Sequence, residues 1–90
     1  MPPYVPGFTA ADVRRAFRND GWIIRQGGRH TRAEKGGLTV PISRHRGKDI
    51  PPGTMGSIIV QAGWTVGEFR NLVRGRNRDG SRRTRHRQDE

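Results

Sequence analysis

Beyond Val73 the chain contains no apolar residue at all, so any hydrophobic core must be assembled from the residues before it. A segment without apolar side chains cannot bury enough surface to offset the entropy of ordering it, and residues 74–90 are therefore expected to be disordered. The remaining 73 residues suffice for one domain and not two. A domain of that size is marginal, and binding to a partner or ligand would add to its stability.

Within residues 9–73 the apolar residues change period. Residues 9–20 read as a helix: Thr9 suits the N-cap, Asp12 completes an acidic capping box, and Phe8 and Val13 occupy the two positions of a hydrophobic staple. Ala10, Val13 and Phe17 recur at helical spacing, and Gly21 is a natural stop. Residues 22–26 (Trp22-Ile23-Ile24-Arg25-Gln26) then read as a strand, with a turn or bulge at Gly27-Gly28. Residues 29–34 make a second strand, supported mainly by its place between two better ones, because Ala33 is its one apolar residue. After a turn at Lys35-Gly36-Gly37, residues 38–42 form a third strand, where Pro41 suits an edge. Residues 43–53 are loop. Thr54 is expected to cap a second helix with Met55, Ile58, Ile59 and Ala62 on its apolar face and Gly63 closing it. Thr65 and Glu68 form a capping box for a short last helix carrying Val66, Phe69, Leu72 and Val73. The fold class that follows is α+β: a three-stranded antiparallel sheet covered by helices on one face.

Charge narrows the partners. Eighteen Lys and Arg stand against eight Asp and Glu, a formal net charge of +10. The excess is not confined to the tail, which holds seven arginines against three acids, while residues 1–73 hold eleven basic against five acidic residues. Polyanions are the natural partners of such a chain, nucleic acid first, with salt-sensitive binding. The absence of cysteine excludes disulfides and thiolate metal sites. The N-terminal residues lack the apolar core of a signal peptide, and no run approaches the roughly 20 residues that span a bilayer. A cytoplasmic protein without membrane attachment is expected.

Three histidines are candidates for chemistry, since imidazole trades protons near neutral pH. His86 lies among tail arginines. His30 follows Gly27-Gly28, where backbone can approach a phosphate closely, and Arg25, Arg29 and Arg32 surround it in sequence. Strand alternation puts His30 and Arg32 on one face. A histidine beside guanidiniums can deprotonate a ribose 2′-OH while the arginines hold the phosphate. The plainer alternative is a surface histidine in a polar strand among solvated arginines. No P-loop, nucleophile elbow or paired-carboxylate pattern is present, and the histidines lack the carboxylate spacing of a metal site. No cofactor and no metal are expected.

Taken together, Gly21-Trp22, Arg25-Gln26, Gly28-x-His30, Leu38-Thr39-Val40-Pro41, Gly47-Lys48-Asp49-Ile50-Pro51, Gly53-Thr54, Ser57-Ile58-Ile59, Gln61-Ala62-Gly63 and Glu68-Phe69 resemble the HicA toxin family of bacterial toxin–antitoxin systems. The resemblance implies a fold similar to a double-stranded-RNA-binding domain, α-β-β-β-α, here with a short C-terminal helix and a basic tail. It divides the chain into an extension at 1–8, a toxin domain at 9–73 and an Arg-rich tail at 74–90. It implies cleavage of mRNA and neutralisation by a HicB-type antitoxin, with His30 as the catalytic histidine and Gly28 giving the substrate access. His45 resembles a second family histidine after the third strand. Arg29 stands where the family usually has serine.

The expected function is thus a metal-independent endoribonuclease with His30 as base and Arg25, Gly28, Arg29, Arg32 and Lys48 contacting RNA. The alternatives are a non-catalytic RNA-binding module using the same face, and an interaction protein docking an acidic partner. Specific DNA binding by this chain alone is not expected, because no helix-turn-helix emerges.

Overall fold

The computed structural model describes residues 2–27, 30–42 and 48–82. They form helix α1 (Ala10–Asn19), strands β1 (Ile23–Gly27), β2 (His30–Lys35) and β3 (Leu38–Ile42), then helices α2 (Pro52–Ala62) and α3 (Val66–Val73). The sheet is antiparallel with strand order β1-β2-β3. This is the α+β arrangement α-β-β-β-α with a short helix added, as the sequence predicts.

Helix α1 starts where its local chemistry says it should. Thr9 accepts a hydrogen bond from the Asp12 N–H, and the Asp12 carboxylate accepts one from the Thr9 N–H at 2.9 Å. The same reciprocal box joins Thr65 and Glu68 at the start of α3. Together they satisfy backbone donors that a helix start otherwise leaves open. Phe8, just before the cap, packs edge-on against Phe69, ring centroids 4.7 Å apart.

Helix α2 begins differently from expectation. It starts at Pro52, with Pro51 as N-cap and no side-chain cap, so Thr54 lies inside the first turn and caps nothing. The reason is that proline's fixed φ is already helical, and its missing N–H falls where no intrahelical partner exists. The rest of the expectation holds: Met55, Ile58, Ile59 and Ala62 are buried, and Gly63 ends the helix in the left-handed region. One glycine within α2 serves a close approach. A Cβ on Gly56 would overlap the Pro3 carbonyl oxygen, so the N-terminal strand of chain crosses the helix there at backbone contact. That crossing is pinned by Val5, which is buried and donates its N–H to the Pro52 carbonyl at 3.2 Å.

Helices α1 and α2 cover one face of the sheet, α1 against β1 and β3 and α2 against β3, and α3 packs on the two helices. The inward residues of β2 and β3 are Thr31, Ala33, Val40 and Ile42, all buried. Thr31 explains how the second strand forms with a single apolar residue: it fills the inward slot that alternation assigns to it. Gly36 and Gly37, both at positive φ, make the tight β2–β3 turn that residues with a Cβ adopt with strain. Phe17, Trp22, Trp64 and Phe69 form an aromatic cluster at the centre of the core. The first strand starts one residue later than expected, because Trp22 turns into this cluster instead of joining the sheet.

Candidate functional site

The helices leave the opposite face of the sheet open. Directly paired residues of antiparallel strands share a face, so the pairs Gly27↔His30, Arg25↔Arg32 and Ile23↔Glu34 line up along it. His30 is exposed and opens β2 at one end of the sheet. The neighbouring Thr31 and Ala33 point the other way, into the core.

Arg25 and Arg32 face each other across the two strands, an arrangement that like-charge repulsion opposes. Glu34 resolves it. Its Oε1 accepts from Arg25 Nε and its Oε2 from Arg32 Nε, each at 2.7 Å. The hydrogen bonds from Arg32 and then Arg25 hold the Glu34 carboxyl below its ordinary range, so it is ionised throughout the neutral region. Beyond Nε, the Arg32 guanidinium reaches along the face towards Gly27: its NH1 lies 3.6 Å from where a Cβ on Gly27 would stand. Gly27 is the cross-strand partner of His30, so the Arg32 guanidinium extends towards the register position that His30 occupies. Sequence reasoning named both arginines and missed Glu34. The available signal was its spacing: Glu34 follows Arg32 by two residues on a strand, hence on the same face.

The other expected site residues divide into two groups. Lys48 is exposed, next to Asp49, which forms a bridge with Thr9, while Ile50 donates to the Phe8 carbonyl at 2.8 Å. The other end of α1 is tied to the start of β1 and the end of β2, since Lys35 Nζ donates to the Asp20 carbonyl at 2.6 Å. Lys48 therefore stands beside the start of α1, the helix that packs on the face of the sheet opposite to His30, Arg25 and Arg32. Gly28, Arg29 and His45, along with His86, fall outside the described residues. Among the described residues, no three His, Cys, Asp or Glu side chains gather as a metal site requires.

At the end of the sheet away from His30 stands a second polar cluster. Asp20, its side chain 9% exposed, accepts from the indole N–H groups of Trp22 at 3.0 Å and Trp64 at 2.9 Å, and from Arg78 Nε at 2.8 Å. Burial pushes the Asp20 carboxyl up, but hydrogen bonds from Arg78, Trp64 and Trp22 outweigh it and hold the group below its ordinary value of 3.8. A shallow depression of about 300 Å³ lies beside it, lined by Asn19, Asp20, Leu72, Asn77, Arg78 and Asp79. Residues 74–82 are not featureless: Asn77 and Ser81 pair through backbone, Asn71 donates to the Arg78 carbonyl, and Arg78 returns to Asp20. Polar contacts hold this stretch where apolar ones are lacking.

Comparison with known proteins bears on the whole domain. A family model described as the HicA toxin of bacterial toxin-antitoxin matches residues 10–64. That span covers α1, the sheet and α2, and includes His30, Arg25, Arg32, Glu34 and Lys48. No curated protein and no solved structure matches the chain. Among the described residues, no helix is long and apolar enough to cross a membrane.

Proposed function

The chain belongs to the HicA toxin family of bacterial toxin–antitoxin systems, and on that premise we propose that it is a metal-independent endoribonuclease cleaving mRNA with His30 as general base. The observation that carries this reading is the juxtaposition on the open sheet face. An exposed histidine stands at its end, and a pair of arginines stands two register positions away on the same face.

The chemistry follows from those groups. The His30 imidazole takes the proton of a ribose 2′-OH, and the 2′-oxygen attacks the adjacent phosphorus. The P–O5′ bond breaks, leaving a 2′,3′-cyclic phosphate on one product and a 5′-OH on the other. The 5′-oxygen takes its proton from water or from His45. Arg25 and Arg32 bind the phosphate and neutralise the charge that grows on its oxygens in the transition state. Arg29, Gly28 and Lys48 extend the contact with the strand. A single positioned base contributes roughly 10²–10⁴-fold in rate, a modest catalyst. DNA lacks the 2′-OH and should bind through its phosphates yet remain intact. The partner is a HicB-type antitoxin, whose task is to cover His30 and its arginines with acidic surface.

The test incubates the purified protein with a labelled mRNA in excess EDTA, beside His30→Ala prepared identically. Because His30 is exposed at a strand end, its truncation leaves the core untouched. Cleavage by the wild type alone is the expected result. Equal cleavage by both proteins would remove His30 from the mechanism. No cleavage by either, with RNA still bound, would make this face a non-catalytic RNA-binding surface.

A further inference from the structure

A carboxylate facing one arginine ordinarily chelates it with both oxygens, matching two parallel N–H groups. Glu34 does something else. It divides its oxygens, giving Oε1 to Arg25 Nε and Oε2 to Arg32 Nε, both at 2.7 Å, and so ties together two guanidiniums that stand opposite each other on neighbouring strands. Nε is the innermost donor of an arginine. Holding it fixes the stem of the side chain while the terminal amino groups stay clear of the carboxylate. For Arg32 the direction is visible: its NH1 extends towards Gly27, the cross-strand partner of His30.

We infer that Glu34 is a positioning residue, which by holding Arg25 and Arg32 at Nε turns them into a paired anchor that sets the scissile phosphate beside His30. This rests on the ribonuclease reading above and adds a device to it. Two exposed arginines on flexible stems would attract RNA in many poses, whereas a pair fixed to one carboxylate presents its free N–H groups in one geometry. The arrangement exchanges some attraction for orientation, since Glu34 itself repels the RNA backbone. Effective catalysis depends on orientation, and a displacement of about 1 Å can cost roughly 100-fold.

That exchange makes a distinctive test. In Glu34→Gln one oxygen remains to accept, the amide nitrogen can only donate, and at least one arginine is released while the face gains a positive charge. Affinity for a 2′-O-methyl RNA, which cannot be cleaved by 2′-OH attack, should hold or increase, with a steeper salt dependence. Single-turnover cleavage at saturating RNA should fall by roughly 10- to 100-fold. Glu34→Asp, charged but one methylene shorter, should recover part of the rate. If Glu34 only repels RNA, both binding and cleavage improve in Glu34→Gln, and the inference is overturned. A melting temperature that drops while cleavage per folded molecule stays constant would overturn it equally, as a purely structural role. An inactive wild type sinks the ribonuclease reading and this inference with it; an active wild type whose rate survives Glu34→Gln sinks this inference alone.

Discussion

Glu34 and Asp20 are each one carboxylate shared among several donors, one on the open face of the sheet and the other against the aromatic core, with opposite consequences. Asp20 is nearly enclosed, and two of its donors are indoles seated in the aromatic core. Glu34 stands on the open face, and both its donors are exposed arginines with more than 40% of the side chain accessible. A carboxylate that satisfies buried N–H groups is part of the fold, because those groups have no water to turn to. A carboxylate that ties down exposed cations adds little stability, since water screens the pair and the stems lose freedom. What it changes is where the cations stand. The same chemistry closes the core in one place and arranges a binding face in the other.

The sharpest way to break this comparison is to exchange the phenotypes. His30→Ala should abolish cleavage by roughly 10²–10⁴-fold and leave the unfolding transition in place. Asp20→Ala should do the reverse. With the indoles of Trp22 and Trp64 left without their acceptor, it should cost about 2–4 kcal/mol of stability, measured by urea unfolding, while cleavage per folded molecule is unchanged. The sites lie at opposite ends of the fold, so the double variant should show both losses independently. A stability loss in His30→Ala as large as in Asp20→Ala would mean that the open face is as much a part of the core as the Asp20 cluster.

How far these two clusters were legible in the sequence differs for a physical reason. Capping boxes are local: Thr9 with Asp12 and Thr65 with Glu68 are three residues apart, and both were readable directly. The face shared by His30 and Arg32 follows from the period of a strand. Arg25 on Glu34 needs the β1–β2 register, which composition does not specify. The Asp20 cluster needs still more, because Trp64 comes from 44 residues away and Arg78 from 58. Sequence reasoning placed Trp22 in a strand and the chain after Val73 in disorder, and missed that Asp20 gathers both. Thr54 failed as a cap for a local reason, since the prolines before it start the helix earlier.

Acid should sharpen the contrast next. The Asp20 carboxyl is held below its ordinary value of 3.8, so its contribution is complete above the unfolded-state value. As pH falls below 3.8 towards the lowered folded-state value, the native state must take up a proton at Asp20 and that stability is lost. Asp20→Asn carries no such titration. The stability difference between wild type and Asp20→Asn should therefore be constant from neutral pH down to about 5 and shrink below 3.8, followed by thermal unfolding across that range. A difference that grows as pH falls would mean that burial, not the hydrogen bonds, dominates at Asp20.

The smallest effect is expected at Arg78, and it tests whether the Asp20 cluster depends on charge or on the indoles. Arg78 is the outermost donor, 44% exposed, and its hydrogen bond to Asp20 further favours the charged form that a guanidinium already holds. Arg78→Ala leaves both Trp N–H bonds in place and Lys35 nearby, its Nζ 3.7 Å from the carboxylate. A partly exposed ion pair of this kind contributes up to about 1 kcal/mol, and salt weakens it. The loss in Arg78→Ala should thus stay well under that of Asp20→Ala and diminish further as salt is raised. Should it instead equal the Asp20→Ala loss, the residues after Val73 would be as necessary to the fold as the aromatic core, and the boundary between domain and tail would move from Val73 to at least Arg82.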